Sequence, residues 1–298
     1  MAGRWTEHGS PHGDTPPVGI VMMTRDRRER VLATLPRILE SVPRGAQVVV
    51  VDNGSRDGTV EAVRRDHPCV QVIPLPTDLG APARNLGVEV VRAEVVAFAD
   101  DDSWWAPGSL ECAVELFASH PRLALVAARV LVGPDERLDP VSATMASSPL
   151  GRDPDLPGPS VLGFVACGSV VRRSSFLAVG GFDPTVHFAG EEERVALDLA
   201  AAGWGLAYVP DVVAHHHPGV TGRRPGRDAL VARNALLTAC MRRPVSVVAA
   251  RARRAPLQAV LRAVPRLPGA LARRRRVPAW LEDRLAVVET TGGTWSKA

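Results

Sequence analysis

We expect the chain to fold as an α/β domain in which a mostly parallel sheet is flanked by helices, followed by a basic helical C-terminal extension. Short apolar segments alternate with segments of helical spacing from residue 18 onward, which is typical of a parallel sheet covered on both faces. Polar residues follow four of these apolar segments in succession, as expected where ligands bind beyond the carboxyl ends of parallel strands. The length of 298 residues and the hydrophobic content of 46% are those of a globular protein.

The first third of the chain is predicted to contain four strands and three helices. The strands are expected at Val18–Met23, Gln47–Val51, Val70–Leu75 and Ala93–Ala99. The helices between them are expected at Arg27–Ser41, Asp57–Asp66 and Ala83–Arg92. In the first helix Val31, Leu35 and Ile38 recur at helical spacing, so one face of that helix is apolar and should pack against the sheet.

The middle of the chain is less regular. A helix is predicted at Ser109–Ser119 and a strand at Leu123–Val132. Gly133–Pro159 is rich in Pro, Asp and Ser and is interpreted as a long loop, a kind of segment that is often functional inside a compact domain. Beyond the apolar segment Val161–Arg172 we expect two helices and two short strands, at Ser174–Val179, Glu191–Ala202, Gly205–Val209 and Val212–His216.

Cysteine usage and the start of the chain favour the cytoplasm. Cys69, Cys112, Cys167 and Cys240 are widely spaced and form no CxxC pair, which indicates neither a disulfide framework nor a zinc site. Residues 1–17 are polar, lack the features of a signal peptide and are predicted to be a disordered leader. Because the chain contains no run of about 18 apolar residues, no membrane-spanning helix is predicted.

Three consecutive aspartates, Asp100, Asp101 and Asp102, follow the fourth predicted strand. Adjacent carboxylates repel one another, and hard divalent ions such as Mg²⁺ and Mn²⁺ prefer oxygen ligands. In an extended segment Asp100 and Asp102 would point to one side and Asp101 to the other. Two carboxylates could then hold one metal ion, which could in turn bind a diphosphate. A solvated acidic turn or a helix N-cap is the alternative interpretation.

The positive charge is concentrated in the C-terminal part of the chain. Residues 222–284 hold sixteen Arg against three acidic residues, a balance of +13 in a chain whose total is +4, so the remainder carries −9. Apolar segments such as Val245–Val264 alternate with arginines, and Arg273–Arg276 is a run of four. This pattern predicts basic amphipathic helices on an anionic membrane surface, with a packed helical subdomain or a solvated face as alternatives. Nucleic acid is disfavoured because no aromatic residues interleave with the arginines.

Several segments, taken together in their order and spacing, resemble the family 2 glycosyltransferases. They are Val18–Arg27, Val48–Ser55, Leu79–Gly87, Asp100–Asp102, Gly180–Asp183, Gly190–Glu192 and Ala202–His217. The resemblance implies a Rossmann-like sheet of the GT-A type and transfer of a sugar from a nucleotide donor with inversion at the anomeric carbon. It implies a glycosyltransferase domain over residues 18–221, with a nucleotide-binding half of about 18–105 and an acceptor half of about 106–221. Residues 222–298 are then the basic extension.

The resemblance also implies roles for individual residues. Thr24 and Asp26 should lie near the nucleotide, Asp52 should accept hydrogen bonds from the base, and Arg84 should lie near the base or the diphosphate. Asp100 belongs near the ribose or the metal, and Asp102 on the metal. The expected donor-binding set is therefore Thr24, Asp26, Asp52, Asn53, Asp78, Arg84, Asp100 and Asp101. At Asp78, this chain departs from relatives, which commonly carry Asn before the glycine of this segment.

A carboxylate is expected to remove the proton from the attacking hydroxyl. Our preferred candidate is Glu192, with Glu191 as the second choice, because relatives write this pair as Glu-Asp. Three consecutive glutamates in a first helical turn also complement the helix dipole, which is the alternative explanation.

Histidines and tryptophans supply further candidates. His216 is the preferred histidine ligand for Mg²⁺ or Mn²⁺ and His215 the second, since relatives often carry a metal-binding histidine here and His is a common ligand. A strand pleat would send His215 and His217 to one face and His216 to the other. Trp104 and Trp105 either line the sugar site or pack on the core.

Three function classes follow from these patterns. The first is an inverting glycosyltransferase using a UDP or dTDP sugar, with a glycan, lipid-linked or small-molecule acceptor, in the cytoplasm or peripheral on the inner face of the plasma membrane. The second is a metal-dependent nucleotidyltransferase, disfavoured because Thr24–Arg27 lacks a glycine-rich loop. The third is a non-catalytic relative that binds a nucleotide sugar. A dinucleotide-dependent oxidoreductase is disfavoured because no GxGxxG follows the first strand.

Overall fold

The structure is a computed structural model that describes residues 16–219 and 226–291, so almost all of the predicted leader lies outside the described residues. Its strands are β1 (Gly19–Thr24), β2 (Gln47–Asp52), β3 (Gln71–Pro74), β4 (Val95–Asp100), β5 (Ser103–Trp105), β6 (Leu123–Val132), β7 (Arg137–Leu138), β8 (Ser169–Arg172) and β9 (Gly205–His216). They form one sheet in the order β3-β2-β1-β4-β8-β6-β9-β5, with β7 paired to β6. β1 to β4 are parallel, whereas β8 is antiparallel to β4 and β6. The predicted mostly parallel α/β fold is confirmed.

Helices cover both faces of this sheet and form the C-terminal region. They are α1 (Arg28–Ser41), α2 (Thr59–Asp66), α3 (Ala83–Val90), α4 (Ser109–Ser119), α5 (Pro140–Ala146), α6 (Arg173–Ala178), α7 (Glu192–Ala201), α8 (Arg227–Arg242), α9 (Val245–Arg254), α10 (Leu257–Ala263), α11 (Leu267–Ala272) and α12 (Ala279–Thr290). Short 3-10 turns lie at Ala166–Gly168 and Val264–Arg266.

The parallel strands are apolar throughout because both of their faces are buried. Successive side chains of a strand point to opposite faces. Val21 and Val49 therefore pack into one cluster with Val88 of α3. Ile20, next to Val21, packs into a second cluster with Leu35 of α1. The sheet is thus held between two hydrophobic layers, which makes its carboxyl edge a rigid base for polar side chains.

The segment Gly133–Pro159 is more ordered than the predicted long loop. Arg137–Leu138 pairs with β6 as β7, and Pro140–Ala146 forms α5. The side chain of Asp139 caps this helix by accepting a 2.8 Å hydrogen bond from the backbone of Val141. Asp before Pro is a favourable helix start as well as a common loop sequence, so composition alone led to the wrong interpretation here.

The two short strands predicted near the histidines are one strand, β9. Its pairing with β6 is interrupted between Val209 and Val213, where the register shifts. Pro210 lies in that interval and has no backbone N–H to donate, so an irregularity is expected there. The strand therefore bends without ending and continues to His216.

The C-terminal helices pack onto the rest of the molecule. Leu236, Leu237 and Met241 of α8 form a cluster with Val186 and with α10 and α11. α12 reaches the main core, where its buried residues are Leu281, Leu285 and Val288. In the described ranges, no helix has the length and apolar character needed to span a membrane.

Candidate active site

Polar side chains of three neighbouring strands meet at the carboxyl edge of the sheet. β1 pairs in parallel with β2 and with β4, so Thr24 lies beside Asp52, and Met23 lies beside Asp100. These positions come from distant parts of the sequence, and the parallel register aligns their ends. The predicted grouping of strand-end polar residues is present in the structure.

The aspartate triplet does not have the extended geometry that we predicted. β4 ends at Asp100, and Asp101 and Asp102 form a turn into β5. Asp101 is buried, and it accepts hydrogen bonds of 2.9 Å from the Thr24 hydroxyl and from Arg27. Arg27 also lies 3.4 Å from Asp102, so one guanidinium bridges two adjacent carboxylates. In this turn both carboxylates face the Arg27 guanidinium, which an extended pleat would not allow.

The environments of these carboxyls shift their pKa values in opposite directions. Burial raises the pKa of Asp101 to about 6, which the nearby charge of Arg27 only partly offsets. Burial also acts to raise the pKa of Asp102, but the hydrogen bond and charge of His216, together with Arg27 and Arg30, outweigh it and lower that pKa. Asp102 is therefore the better anion of the two and is suited to bind a cation.

Asp102 and His216 come from different strands and face each other. β5 pairs antiparallel with β9, which sets Ser103 against His216. His216 Nε2 lies 3.4 Å from Asp102 Oδ1, a separation that two ligands about 2.1 Å from one ion can adopt. Within residues 16–219 and 226–291, no group of three or more His, Cys, Asp or Glu is arranged to hold a metal by itself. Further ligands would have to come from substrate or water.

The neighbouring aromatic residues lie on the other side of β9. His215 stacks on Trp104, with ring centroids 5.4 Å apart, and its Nδ1 lies 3.1 Å from Glu136. His217 also contacts Trp104, with ring centroids 4.6 Å apart. The alternation expected from a strand pleat is observed, because the His216 side chain faces the Asp102 carboxylate whereas those of His215 and His217 contact Trp104. Trp105 is fully buried in the core, whereas Trp104 is partly exposed.

A second group of polar residues follows β2. Asp52 is only 1% exposed, and its Oδ1 accepts a 2.9 Å hydrogen bond from the Ser55 backbone. In the described part of the chain its Oδ2 has no hydrogen-bond partner. Asn53 donates to Asp78 at 2.8 Å and accepts from the Leu79 backbone at 2.8 Å, which holds the next loop in place.

Asp26 and Asp78, which were also predicted to bind the donor, lie beside this group. Arg25 forms an ion pair with Asp78. Asp26 has a left-handed backbone with φ of 49°, and its carboxylate accepts a 2.7 Å hydrogen bond from the Arg56 backbone. Both contacts connect the loop after β1 to the loops after β2 and β3, so the carboxyl edge is one continuous hydrogen-bonded surface.

Arg84 connects the aspartate turn to the glutamate pair. Its guanidinium is 2% exposed and lies 2.5 Å from Asp100 and 3.8 Å from Glu191. Burial and the charge of Glu192 raise the pKa of Glu191. Burial also raises the pKa of Glu192, which remains partly exposed at the first position of α7. A partly exposed carboxyl with a raised pKa has the properties of a general base.

Several residues that position this site were given no individual role from the sequence. Arg27 stands within the motif Val18–Arg27, which was a usable signal. Asn85 exchanges 2.9 Å hydrogen bonds with the backbone of Phe182 in both directions. Asn234 donates to the carbonyls of Phe188 and Ala189 at 2.6 Å each. These pairings join distant segments, and residue spacing carries no signal for them.

The chain is similar to known proteins in sequence. The family model described as Glycosyl transferase family 2 matches residues 19–180. The chain is similar to an N-acetylglucosaminyl-diphospho-decaprenol L-rhamnosyltransferase of Mycobacterium tuberculosis, at 29% identity over 245 residues, covering 70% of this chain and 78% of that protein. It is also similar to a pre-mycofactocin glycosyltransferase of the same organism, at 37% identity over 195 residues, covering 61% of this chain and 40% of that protein.

Solved structures share the fold. The mannosyltransferase PcManGT from Pyrobaculum calidifontis, in complex with GDP-Man and Mn²⁺, superposes with a TM-score of 0.60 at 23% identity, covering 95% of this chain and 77% of that one. GalNAc-T7 with UDP, GalNAc and Mn²⁺ superposes with a TM-score of 0.58 at 14% identity, covering 76% of this chain and 48% of that one. At these identities the likeness shows the GT-A fold.

Proposed function

The chain belongs to glycosyl transferase family 2, and on that premise we propose that it moves a sugar from a nucleotide-diphosphate donor to a hydroxyl acceptor with inversion. The observation that carries the proposal is the convergence of Asp52, the aspartate turn and the Glu191-Glu192 pair at one sheet edge, joined through Arg84. Catalysis of this transfer needs a nucleotide site, a charge-stabilising site and a base close together, and this edge offers all three kinds of group.

The donor would bind along the ends of β1, β2 and β4. The buried Oδ2 of Asp52 is an acceptor available to the N–H of a base. Thr24, Asp26, Asn53 and Asp78 would shape the nucleoside pocket. We propose UDP- or dTDP-linked sugars as donors, bound by the half of about 18–105.

A divalent ion fits the residues present at the aspartate turn. Asp102 and His216 would hold Mg²⁺ or Mn²⁺, with Asp100 beside the ion or the ribose. Mg²⁺ commonly takes one or two protein ligands and completes its shell with phosphate and water, which is consistent with a two-residue set. When bound, such an ion supplies positive charge that stabilises the leaving diphosphate.

Glu192 is the proposed base. The acceptor oxygen would attack the anomeric carbon on the face opposite the diphosphate. The bond from that carbon to the diphosphate oxygen breaks, its electron pair leaves with the diphosphate, and the hydroxyl proton moves to Glu192. Glu191 is 3% exposed and adjacent to Arg84. It is therefore better placed to influence the pKa of Glu192 than to contact the acceptor.

The acceptor class is proposed from the rhamnosyltransferase relative, whose name specifies a decaprenol-linked substrate. A polyprenol-diphosphate sugar offers the hydroxyl nucleophile that the reaction needs and is confined to a membrane surface. We therefore propose a lipid-linked acceptor and action on the cytoplasmic face of the plasma membrane.

A donor screen tests the proposal directly. Purified protein with Mn²⁺ would be offered UDP-, dTDP- and GDP-sugars, with donor hydrolysis and thermal shift as readouts. Transfer to a polyprenol-diphosphate sugar would follow for any donor that binds. Binding of a donor without hydrolysis or transfer would favour the non-catalytic alternative, and release of diphosphate from a nucleoside triphosphate would favour a nucleotidyltransferase.

The first prediction concerns the metal. Asp102→Asn removes the charged ligand and should abolish transfer, and excess EDTA should abolish wild-type transfer. The matched control is Glu136→Gln, which neutralises an acid beside the adjacent His215 and should leave transfer within about twofold. Mn²⁺ binding would be measured by electron paramagnetic resonance. Wild-type transfer that persists in EDTA contradicts the metal-dependent mechanism.

A further inference from the structure

The outward face of α10 is unusually apolar. Leu257, Leu261 and Val264 are 73%, 60% and 52% exposed. Leu257 and Leu261 are four residues apart in α10, and Val264 begins the 3-10 turn that directly follows it, so the three lie on one side of this helical segment. On the opposite side Ala259 and Ala263 are buried, and Ala263 packs in the cluster that includes Leu237 of α8. Helix packing therefore fixes the apolar stripe toward solvent.

The sequence segment that carries this stripe is strongly basic. Residues 245–281 contain nine arginines and no acidic residue. Arg254, at the end of α9, and Arg262, on α10 itself, are exposed. A protein partner buried on such a stripe would need a matching acidic rim. An anionic bilayer supplies phosphates at its surface and acyl chains below them, which matches a stripe of aliphatic side chains bordered by arginines.

Two arginines of the run Arg273–Arg276 make contacts within the folded protein. Arg274 donates to the carbonyls of Cys240 and Arg243. Arg273 lies 3.7 Å from the buried Asp183. Neutralising the whole run Arg273–Arg276 would therefore disturb packing as well as surface charge, and α10 is the cleaner place to look for a docking surface.

We propose that the outward face of α10 docks on an anionic lipid bilayer. Leu257, Leu261 and Val264 enter the boundary between headgroups and acyl chains, and Arg254 and Arg262 contact lipid phosphates. The stripe is also connected to the segment Pro184–Thr185, because Arg266, two residues beyond Val264, donates to both carbonyls, at 3.3 and 3.0 Å. That segment leads directly to Glu191. The benefit for a lipid-linked acceptor rests on the proposed function, whereas the docking itself does not.

Vesicle co-sedimentation of the full chain tests the docking. The vesicles are phosphatidylcholine alone or phosphatidylcholine with phosphatidylglycerol, and neither donor nor acceptor is present. Wild-type protein should pellet with the anionic vesicles and much less with the neutral ones. The double variant Leu257→Ser/Leu261→Ser should lower partitioning by about tenfold or more, since two aliphatic anchors are lost. Arg254→Gln/Arg262→Gln should weaken the dependence on salt.

The matched control is Val90→Ser/Leu138→Ser, which changes two exposed apolar residues on other elements, 39% and 42% exposed. Its partitioning should stay within about twofold of wild type. Circular dichroism and thermal unfolding would verify that both variants fold. Wild-type protein that does not pellet, or pellets equally with neutral vesicles, overturns the proposal. Unchanged pelleting of Leu257→Ser/Leu261→Ser overturns it too, as does a shift of that variant from dimer to monomer in size-exclusion chromatography without lipid.

Loss of transfer activity is read in a separate assay. A protein that binds anionic vesicles through α10 but transfers no sugar would refute the proposed function and leave the docking surface standing. A protein that transfers sugar to a soluble acceptor but does not bind vesicles would refute the docking surface and support the proposed function.

Discussion

At the scale of single residues, Arg84 determines the electrostatics of the site. It is buried between Asp100 and Glu191, at 2.5 and 3.8 Å. The single positive charge of Arg84 faces the carboxyls of Asp100, Glu191 and the adjacent Glu192, so it cannot neutralise all three if they are ionised. Burial is the largest cause of the raised pKa values of Glu191 and Glu192, and the negative charge of neighbouring carboxylates adds to it. Excess negative charge here favours a carboxyl that takes up a proton during the reaction.

The prediction for the base is a selective loss of chemistry. Glu192→Gln should reduce transfer by about 10²–10⁴-fold, the usual contribution of a general base, while donor affinity is retained. The measurements are steady-state transfer and donor titration by calorimetry. Glu89→Gln, an exposed acid on α3, is the control and should transfer normally. If Glu191→Gln has the large effect and Glu192→Gln does not, the base is Glu191.

A second prediction follows from the raised pKa of Glu191. In the unfolded chain a glutamate loses its proton near pH 4.3, whereas the folded protein keeps it to higher pH. The folded state therefore binds more protons in this range, and the free energy of unfolding should fall as pH rises above about 4.3 toward the raised pKa. Glu191→Gln cannot lose a proton, so its Tm should fall less than that of wild type between pH 5 and 9. Parallel Tm curves for the two proteins would contradict this.

At the scale of elements, α8 acts as a support for the segment that precedes the glutamates. His187 and Ala189 have positive φ values of 69° and 71°, which are unfavourable for side chains with a Cβ. Asn234, fully buried on α8, bonds both adjacent carbonyls, and Arg233 donates to the Val186 carbonyl at 3.1 Å. These hydrogen bonds offset the backbone strain and fix where Glu191 enters the site.

The prediction for α8 separates positioning from stability. Asn234→Ala removes the two hydrogen bonds that Asn234 donates and the two that it accepts from Arg233. It should cost about 1–3 kcal/mol of stability, with a loss of transfer that exceeds the loss of folded protein at the assay temperature. The control is Thr238→Val on the same helix. Its buried hydroxyl has no hydrogen-bond partner in the described residues, so this variant should be nearly neutral. Urea unfolding and transfer assays at a temperature where both variants are folded provide the test.

Elements were easier to predict than their connections. The helix Ser109–Ser119 and the strand Leu123–Val132 were predicted with the bounds that the structure has, because apolar spacing is a local property. The sheet order, with β8 inserted between β4 and β6, depends on contacts between distant segments. The same limit applies in the site: the sequence located Arg84 and Glu191 but not their pairing, and it missed the turn that Arg27 stabilises. The residue roles implied by the family resemblance stay predictions.

At the scale of the whole molecule, the basic tail and the acidic body are tied together. Arg242 pairs with Asp198 of α7, and Arg251 lies 2.8 Å from Glu193 of the same helix. Arg243 is 1% exposed and bonds both Glu282 and Glu289. Part of the predicted charge asymmetry is thus neutralised internally. The C-terminal helices are consequently part of one folded unit with the sheet.

The prediction for the whole molecule concerns α12. Leu281 is fully buried in the main core, so Leu281→Ala should reduce the free energy of unfolding by about 2–5 kcal/mol. Leu257→Ala, at a position 73% exposed, is the control and should change it by less than about 0.5 kcal/mol. Both would be measured by urea unfolding followed by circular dichroism. Equal stability of the two variants would mean that α12 folds apart from the sheet.

The loop after β3 contacts the segment before Glu191 at a glycine. Gly80 has φ of 68°, and a Cβ there would lie 2.5 Å from the carbonyl oxygen of His187, while the Ala81 backbone donates 2.7 Å to the same oxygen. Because Gly80 has no Cβ, the backbones of the two loops can approach each other this closely. The distance between the two loops is therefore set by backbone contact. A side chain at position 80 would require the facing loop to change as well, so we expect the sequences of the two loops to evolve together.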